Sequence, residues 1–132
     1  RPGIRTAYPF GSGSDLLPRH AWYIVNSATR TWPVGQKRPN EGGLFDLTGN
    51  AWTWCNGAGL PYRAGTFAAP VDDAEDHPSV TANQGITERQ KRSLRGGACD
   101  VLPFVARASF RFFNRPSFLY TTVGLRPCRT FD

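Results

Sequence analysis

Large apolar side chains alternate with small or polar ones in only a few short segments of this chain. Trp52 and Trp54 alternate with Ala51 and Thr53. This alternation predicts a strand over residues 49–55, because successive side chains of a strand point to opposite faces. Three further segments are predicted to be extended or turning: a strand or buried turn at 21–25, a strand at 93–95 that enters a kink at Gly96 and Gly97, and a closing strand at 123–130.

Two other segments carry few large apolar residues or are broken by Pro and Gly. Residues 1–18 are rich in Pro and Gly and are predicted to form an irregular loop. Residues 56–93 are polar, with an acidic cluster at 72–76. Such a stretch predicts a long surface excursion, here with one helical turn around residues 87–92. The pattern as a whole therefore predicts short strands joined by long loops.

The composition is typical of a small packed domain with little helix. The chain has 132 residues, which is the length of one domain. Hydrophobic residues make up 39% and aromatic residues 13% of the sequence, enough to build a core. The 14 Gly and 11 Pro favour turns and short strands over a helical bundle. Because no apolar run approaches the roughly 18 residues of a membrane span, we expect no transmembrane segment.

Charge and cysteine content narrow the expected partners and compartment. The net charge is +6, and 14 of the 16 basic residues are Arg. Since Arg bonds planar acceptors in a bidentate manner, this balance favours hydrogen-bond networks over a nucleic-acid surface. The odd number of cysteines (Cys55, Cys99 and Cys128) argues against a disulfide-stapled scaffold. We therefore expect a cytoplasmic protein that does not bind nucleic acid.

Four motifs occur in the order and approximate spacing of one known family. They are PVGQKRPNEGGLFDLTGNAWTWC at 33–55, LRGGAC at 94–99, the pair Arg107 and Arg111, and VGLRP at 123–127. Together these motifs resemble the formylglycine-generating-enzyme, or sulfatase-modifying-factor, family. The resemblance implies an α+β, C-type-lectin-like fold that is rich in loops and has short antiparallel strands.

The resemblance also implies how the domain is organised. In the family, a stretch of comparable length precedes the segment that is similar to residues 8–11 here. Residues 1–132 are therefore expected to be the C-terminal part of one domain, with the N-terminal half of that domain as a partner. Without that half, apolar faces would be uncovered. We expect residues 1–132 to be insoluble or molten when they are expressed alone.

Ten residues of the matching motifs are expected to be structural scaffold. The tryptophans are large enough to anchor a core that is poor in regular structure, and adjacent glycines allow a sharp backbone turn. The arginines are suited to tie loops to carbonyl groups or to a carboxylate such as Asp46. The scaffold set is Asn50, Trp52, Trp54, Arg95, Gly96, Gly97, Arg107, Arg111, Gly124 and Arg126.

The catalytic and metal-binding residues of the family are not found at the matching positions. Its oxygen-dependent enzymes bind copper and the substrate thiol with two cysteines that lie five residues apart after the RGG motif, and two thiolates suit Cu(I). The matching positions here are Val101 and Ala106, and Cys99 alone does not replace the pair. Thr53 and Trp22 stand where calcium ligands are implied. We expect no catalytic residue, no metal and no cofactor.

The residue types change abruptly near the C terminus. Trp, Lys, Glu and Gln occur 12 times in the first 97 residues and are absent from Ala98 to Asp132, where an even spread would place roughly four. Together with Met, these are the residue types that no pyrimidine-ending codon encodes. The restriction resembles that of the variable proteins of diversity-generating retroelements, in which adenines of Asn-type codons are randomised after the same RGG motif.

That second resemblance implies a variable ligand-binding region at about 98–124. Its neighbouring large apolar residues would place rings on both faces of a strand, so some rings should be exposed, and exposed aromatic clusters mark binding surfaces. The candidate binding positions are Asp100, Val101, Leu102, Phe104, Val105, Phe110, Phe112, Phe113, Asn114, Phe118, Leu119, Tyr120, Thr121 and Thr122.

We interpret the chain as a non-catalytic lectin-fold module that binds a ligand, expected to be a protein, through its C-terminal aromatic surface. In one version it is the hypervariable protein of a diversity-generating retroelement, and in another it is a binding or regulatory domain without diversification. A third alternative is a formylglycine-generating oxidoreductase or related sulfatase-modifying enzyme whose cysteine pair aligns elsewhere. Ordinary packing of the C-terminal aromatic residues in a core is the competing structural interpretation.

Overall fold

The computed structural model describes residues 6–58, 89 and 91–127. Within these residues the regular elements are short and far apart along the chain. They are the helix α1 (Leu17–His20), the strands β1 (Trp52–Ala58) and β2 (Arg92–Arg95), a 3₁₀ turn (Pro103–Ala106), and the strands β3 (Phe112–Asn114) and β4 (Val123–Gly124). Within the described part of the chain, no helix has the length and apolar character needed to cross a membrane.

The four strands form one mixed sheet in the order β3–β2–β1–β4. β2 pairs antiparallel with both β1 and β3, whereas β4 pairs parallel with β1. The expected short antiparallel strands are confirmed for β1, β2 and β3, and β4 adds one parallel pairing at the edge of the sheet. The reason lies in the chain path: after β3 the chain crosses to the far side of β1, and such crossover connections give parallel pairing.

The register of the sheet explains why neighbouring aromatic residues face opposite ways. Trp54 pairs with Leu94, and Leu94 pairs with Phe112, so these three side chains lie in one row on one face. Trp52 is two residues from Trp54 and shares that face, which confirms the predicted alternation. Phe113 pairs with Ser93 and therefore points to the opposite face.

Several predicted segments differ from the structure. Residues 21–25 form a turn rather than a strand, because the Asn26 Oδ1 accepts a 2.9 Å hydrogen bond from the Tyr23 amide and closes the backbone on itself. Ala21 and Tyr23 are buried in this turn, whereas Ile24 and Val25 are exposed, so the alternative prediction of a buried turn holds only for its first half. Arg92 belongs to β2 rather than to a helical turn, and most of the predicted surface excursion lies outside the described residues. Within the described residues the closing strand covers Val123–Gly124, since the chain leaves the sheet edge after two pairs with β1, and residues 128–130 of the predicted strand lie outside the described part.

The core consists of two apolar clusters joined by the 3₁₀ turn. One contains Tyr8, Leu17, Ala21, Tyr23 and Ala106. The other contains Trp52, Leu94 and Ala98, and partly buried side chains including Trp54, Val105 and Phe110 pack against it. The turn sends Ala106 into the first cluster and Val105 into the second. The N-terminal loops and the sheet are therefore packed against the same segment.

Hydrogen bonds and close contacts between loops also hold the fold together. Asn50 is buried with a positive φ of 63° and exchanges two hydrogen bonds with the Trp32 backbone, at 2.9 and 3.0 Å. Beside it, Gly49 has φ +73°, and a Cβ there would clash with the carbonyl oxygen of Trp22. A side-chain-free residue at this point lets the 21–23 turn lie directly on the loop that precedes β1.

Two of the expected scaffold arginines bond carbonyl groups of distant loops. Arg95 donates through Nη1 to the carbonyls of Ala108 and Phe110, at 3.2 and 3.1 Å. Arg126 donates through Nη2 to the Phe45 carbonyl at 2.6 Å. The carboxylate of Asp46 instead accepts a 2.7 Å bond from the Gly35 amide, so within the described bonds it serves its own loop.

Candidate binding surface

Five aromatic side chains form a continuous row from the core to the surface, which we call the aromatic ladder. Trp52, in β1, lies 6.1 Å from Phe110 and 5.7 Å from Phe112, measured between ring centroids. Phe112 meets Phe118 edge-on at 6.5 Å, and Phe118 stacks on Tyr120 at 5.8 Å. These spacings are those of favourable aromatic pairs. The ladder therefore holds its outer rings in place through its inner ones.

Local turns deliver the rings to this row. The Phe110 amide donates to the Arg107 carbonyl at 3.1 Å, and the Phe118 amide donates to the Arg115 carbonyl at 2.9 Å. Between the two turns, the pairing of β3 with β2 aims Phe112 at Trp52. The ladder is thus built from two tight turns and one edge strand, all close in sequence.

The outer end of the ladder is exposed. Tyr120 is 56% exposed and Phe112 is 40% exposed, and Leu119, between two ladder rings, is 91% exposed. Large apolar groups are rarely left in water as a contiguous patch unless the patch binds something. A separate pair, Leu102 and Phe104, is exposed beside the 3₁₀ turn. The ladder and its neighbours are the candidate binding surface.

The structure divides the predicted binding positions into three groups. Thr122 is buried, so its assignment to the binding surface is corrected. Val101, Val105 and Phe110 pack against the core cluster around Trp52 and are only partly exposed. The positions that are exposed are Leu102, Phe104, Phe112, Leu119, Tyr120 and Thr121, and those of intermediate exposure besides the three core-packed residues are Asp100, Phe113, Asn114 and Phe118.

Thr122 is buried because it joins the ladder to the sheet. Its carbonyl accepts a 2.8 Å hydrogen bond from the Trp52 amide, and its hydroxyl donates to the Asp100 carboxylate at 3.5 Å. The backbone at this position is therefore fixed to β1 directly beneath the exposed residues that precede it. With its carbonyl bonded to β1 and its hydroxyl bonded to Asp100, buried Thr122 leaves no exposed group for a ligand.

Arginines lie on both sides of the strand that carries Phe112. The guanidinium of Arg111 lies 4.8 Å from the ring centroid of Phe113, on the sheet face opposite to Phe112. Arg107 and Arg115 are exposed at the starts of the two turns. Arg107 was expected to tie loops through its side chain, whereas its described hydrogen bond is made by its backbone carbonyl.

The positions that match the family's cysteine pair come together in space. A Cβ built on Gly97 would lie 3.3 Å from the Val101 side chain and 3.1 Å from the Ala106 backbone. The two positions thus converge on one glycine of the RGG motif, but both carry hydrocarbon side chains. Neither offers a thiolate to a metal.

The two thiols that the structure describes are separate and poorly ionised. Cys99 is fully buried, and this burial, with a smaller contribution from the Asp100 carboxylate, raises the pKa of its thiol. Burial also raises the pKa of Cys55, against an opposing effect of Arg95 and Arg111. A nucleophilic or metal-binding cysteine requires the thiolate. The described residues also contain no cluster of three or more His, Cys, Asp or Glu side chains.

Two features were not anticipated from the sequence. Trp22 and Trp32 stack at 4.8 Å, with the Lys37 ammonium over Trp22 and the Arg30 guanidinium over Trp32. The pattern of apolar and polar residues gave no indication of this stack. A cleft of about 520 Å³ also lies between the loop that carries Leu44 and Phe45 and the end of β4.

Comparison with known proteins identifies the sequence pattern. A family model described as sulfatase-modifying factor enzyme 1-like domain matches residues 5–131. The serine/threonine-protein kinase pkn1 of Chlamydia caviae is 29% identical over 119 residues, which are 90% of this chain and 17% of that protein. The chaperone protein LppX of Paenibacillus barcinonensis is 34% identical over 61 residues, covering 33% of this chain and 22% of that protein. The chain spans about a fifth of the length of these curated relatives.

Three solved structures share the fold. Variable protein 1 of Treponema denticola superimposes with a TM-score of 0.71 at 23% identity, over 93% of this chain and 40% of that one. CarF gives 0.57 at 21% identity, over 94% of this chain and 38% of its own. PvdO of Pseudomonas aeruginosa gives a TM-score of 0.55 at 23% identity, over 90% of this chain and 42% of that one. At these identities the likeness is one of fold, and it confirms the expected α+β, lectin-like architecture.

Proposed function

The chain belongs to the family of sulfatase-modifying factor enzyme 1-like domains, and from this membership we propose that it is a non-catalytic member that binds a protein ligand through the aromatic ladder. The observation that carries the proposal is the exposure of Phe112, Leu119 and Tyr120 at the end of a row of packed rings. Rigid aromatic side chains lose little conformational entropy on binding and dominate the energetics of protein interfaces.

The absence of catalysis is supported by the residues around Gly97. The positions that resemble the family's cysteine pair are Val101 and Ala106, and the nearby Cys99 is buried with a raised thiol pKa. Hydrocarbon side chains at these two points supply neither a copper ligand nor a partner for a substrate thiol. The alternative function, formylglycine generation, would need a second thiolate close to Cys99.

Diversification is supported by two independent observations. The stretch from Ala98 to Asp132 lacks Trp, Lys, Glu and Gln, and the fold is similar to that of a protein named variable protein 1. We propose that the exposed residues of this stretch vary among copies of the gene while the buried ones act as scaffold. Thr122 belongs with the scaffold because its backbone holds the end of the ladder to β1.

We also propose that the N-terminal half of the domain packs on the cleft. Its rim carries apolar side chains that are exposed, among them Val34, at 80%, and Leu125, at 78%. The matched solved structures are more than twice as long as the region they share with this chain. A preceding segment of the domain is the proposed cover for this rim.

The binding proposal is tested with the full-length protein and a phage-displayed peptide library. We expect enriched peptides whose binding falls by on the order of 30-fold in Phe112→Ala, since a central aromatic anchor contributes about 2 kcal/mol. Leu16→Ala is the control, because Leu16 is 41% exposed and lies just before α1, outside both the ladder and the cleft. Equal losses for Leu16→Ala and Phe112→Ala would refute the assignment of binding to the ladder.

Two further measurements separate the alternatives. Sequencing of the DNA around the gene should reveal a near-copy of the last 100 or so bases, with adenines at the variable codons, beside a reverse transcriptase. If no such copy exists, the domain binds without diversification. Incubation of the copper-loaded protein with a cysteine-containing sulfatase-motif peptide should yield no formylglycine by mass spectrometry. Detection of formylglycine would overturn the non-catalytic proposal.

A further inference from the structure

The two turns that carry ladder rings have nearly the same sequence. They read Arg-Ala-Ser-Phe at 107–110 and Arg-Pro-Ser-Phe at 115–118. In both, the Phe amide donates to the carbonyl of the Arg three residues earlier, at 3.1 and 2.9 Å. The turns flank β3 on its two sides along the chain. The same turn motif therefore occurs twice, each time with an Arg at its first position and a Phe at its fourth.

Each turn joins an arginine to a ladder ring over a short stretch of backbone. The first and fourth Cα atoms of a β-turn lie within about 7 Å of each other. Arg107 and Arg115 are exposed, whereas the Phe at the end of each turn is partly buried in the ladder. Each exposed arginine is therefore within one turn of backbone of a ladder ring.

The surrounding sequence has no negative charge to neutralise these groups. From Phe104 to Leu125 there are three Arg and no Asp, Glu or Lys. Asp100 is the nearest preceding carboxylate in sequence; one of its oxygens accepts from Thr122, and the other is buried. Within this part of the sequence, positive charge alone accompanies the aromatic residues.

We propose that the partner is an acidic protein segment whose apolar side chains cover the ladder while its carboxylates pair with Arg107 and Arg115. The inference rests on the proposed function, since it names the partner of the same surface. Arg binds carboxylates in a bidentate manner, and together with Tyr and Phe it is enriched in interface cores. Complementary charge also steers the encounter of the two proteins.

A nucleic acid is another polyanion that could pair with these arginines. The geometry of the aromatic rings favours a protein partner instead. Phe118 and Tyr120 already stack on each other at 14° between ring planes, so these faces are occupied rather than offered to bases. Leu119, the most exposed large apolar residue of the patch, suits an aliphatic contact. Three arginines are also fewer than the six to ten phosphate contacts of typical DNA-binding proteins.

The test uses a focused library of phage-displayed peptides, which are selected for binding to the full-length protein. Alternate positions of a 12-residue peptide encode Phe, Leu, Ala or Ser, and the positions between them encode Glu, Gln or Lys. We expect enrichment of Phe and Leu at the first set and of Glu at the second. The Glu peptide should bind about ten-fold more tightly than its Gln counterpart at 50 mM NaCl, with a smaller advantage at 200 mM because salt screens exposed charges.

Variants assign the preference to the two arginines. Arg107→Gln combined with Arg115→Gln should abolish the Glu preference and leave the Phe and Leu preference unchanged. Arg19→Gln is the control, since Arg19 is an exposed arginine of α1 and belongs to neither of the two turns. Fluorescence anisotropy with a 12-residue oligothymidylate provides the nucleic-acid arm, in which we expect weaker binding than with the Glu peptide.

The possible outcomes separate the acidic-partner proposal from the underlying proposal that the ladder binds a protein. Enrichment of Phe and Leu without Glu, or with Lys, overturns the acidic partner and leaves the ladder as a binding surface. Tighter binding of the oligothymidylate than of the Glu peptide also overturns it. Enrichment at neither set of positions removes both proposals.

Discussion

At the scale of single residues, exposure and hydrogen bonding separate the aromatic side chains into two kinds. Trp52 is buried at the centre of a cluster and contacts two ladder rings. Phe112 contacts Trp52 and Phe118, and 40% of its surface is still exposed to water. Truncating a ring costs stability in proportion to the surface it buries and the cavity it leaves. The two residues should therefore respond differently to the same change.

We expect Trp52→Ala to lower the free energy of unfolding by about 3–5 kcal/mol, the range for a buried ring. Phe112→Ala should lower it by only about 1 kcal/mol, since the exposed part of the ring gains nothing from folding. Urea unfolding of the full-length protein, followed by tryptophan fluorescence and circular dichroism, measures both. If the loss for Phe112→Ala equals that for Trp52→Ala, the ring is core and the binding surface is excluded.

The buried thiol of Cys99 makes stability depend on pH. Its pKa is raised in the fold, so folding favours the neutral thiol. That contribution is complete below the pKa of the unfolded thiol, about 8.5, and is lost as the pH rises through the folded pKa. We expect stability to fall as the pH rises above about 8.5, and to fall less in Cys99→Ala. A Cys99→Ala profile parallel to that of the unaltered protein would contradict the assignment.

At the scale of elements, the short strands are held in place by contacts with loops rather than by long stretches of strand pairing. β3 has three residues and β4 has two, and isolated strands of this length are not stable. Arg95 holds the 108–110 turn, and Thr122 holds the end of the ladder to β1. The approach of the 21–23 turn to the loop before β1 depends on Gly49, where a side chain has no room.

Two glycines with nearly the same backbone angle separate conformational strain from crowding. Gly49 has φ +73° and lies against the Trp22 carbonyl, while Gly43 has φ +74° and open space around it. Gly43→Ala should cost about 1 kcal/mol, from the left-handed backbone alone. Gly49→Ala should cost about 3 kcal/mol or more, because two backbone segments must separate. Thermal melts of both variants measure the difference, and equal costs would show that the two segments part freely.

At the scale of the whole molecule, the described residues form two clusters and one sheet with apolar groups still in contact with water. Val34, Leu44 and Leu125 line the cleft and are more than half exposed. A domain of this length gains only a narrow margin of stability from its own core. Covering the cleft rim with further chain would bury this surface and add to that margin.

We expect residues 1–132, expressed alone, to bind the dye ANS and to unfold without a sharp transition, as loosely packed states do. The full-length protein should bind little ANS and melt cooperatively. Differential scanning calorimetry of both proteins makes the comparison. A sharp cooperative melt of residues 1–132 would mean that no preceding segment is needed to cover the cleft.

The sequence by itself determined the family, the fold class and the two inner strands. Trp52 and Trp54 alternate with small residues, and the RGG motif follows Leu94, so local pattern and motif were sufficient there. It also indicated that adjacent rings such as Phe112 and Phe113 face opposite ways, because a strand has a period of two. It singled out the C-terminal stretch through its missing residue types.

Only the tertiary structure decided which of those rings a partner can reach. Thr122 is buried because its carbonyl meets the Trp52 amide, a contact 70 residues apart along the chain. The parallel edge of the sheet, the turn at 21–25 and the Trp22–Trp32 stack likewise depend on chain paths that no local pattern records. Local propensity fixes which face a side chain takes. Contacts between distant segments fix whether that face meets protein or water.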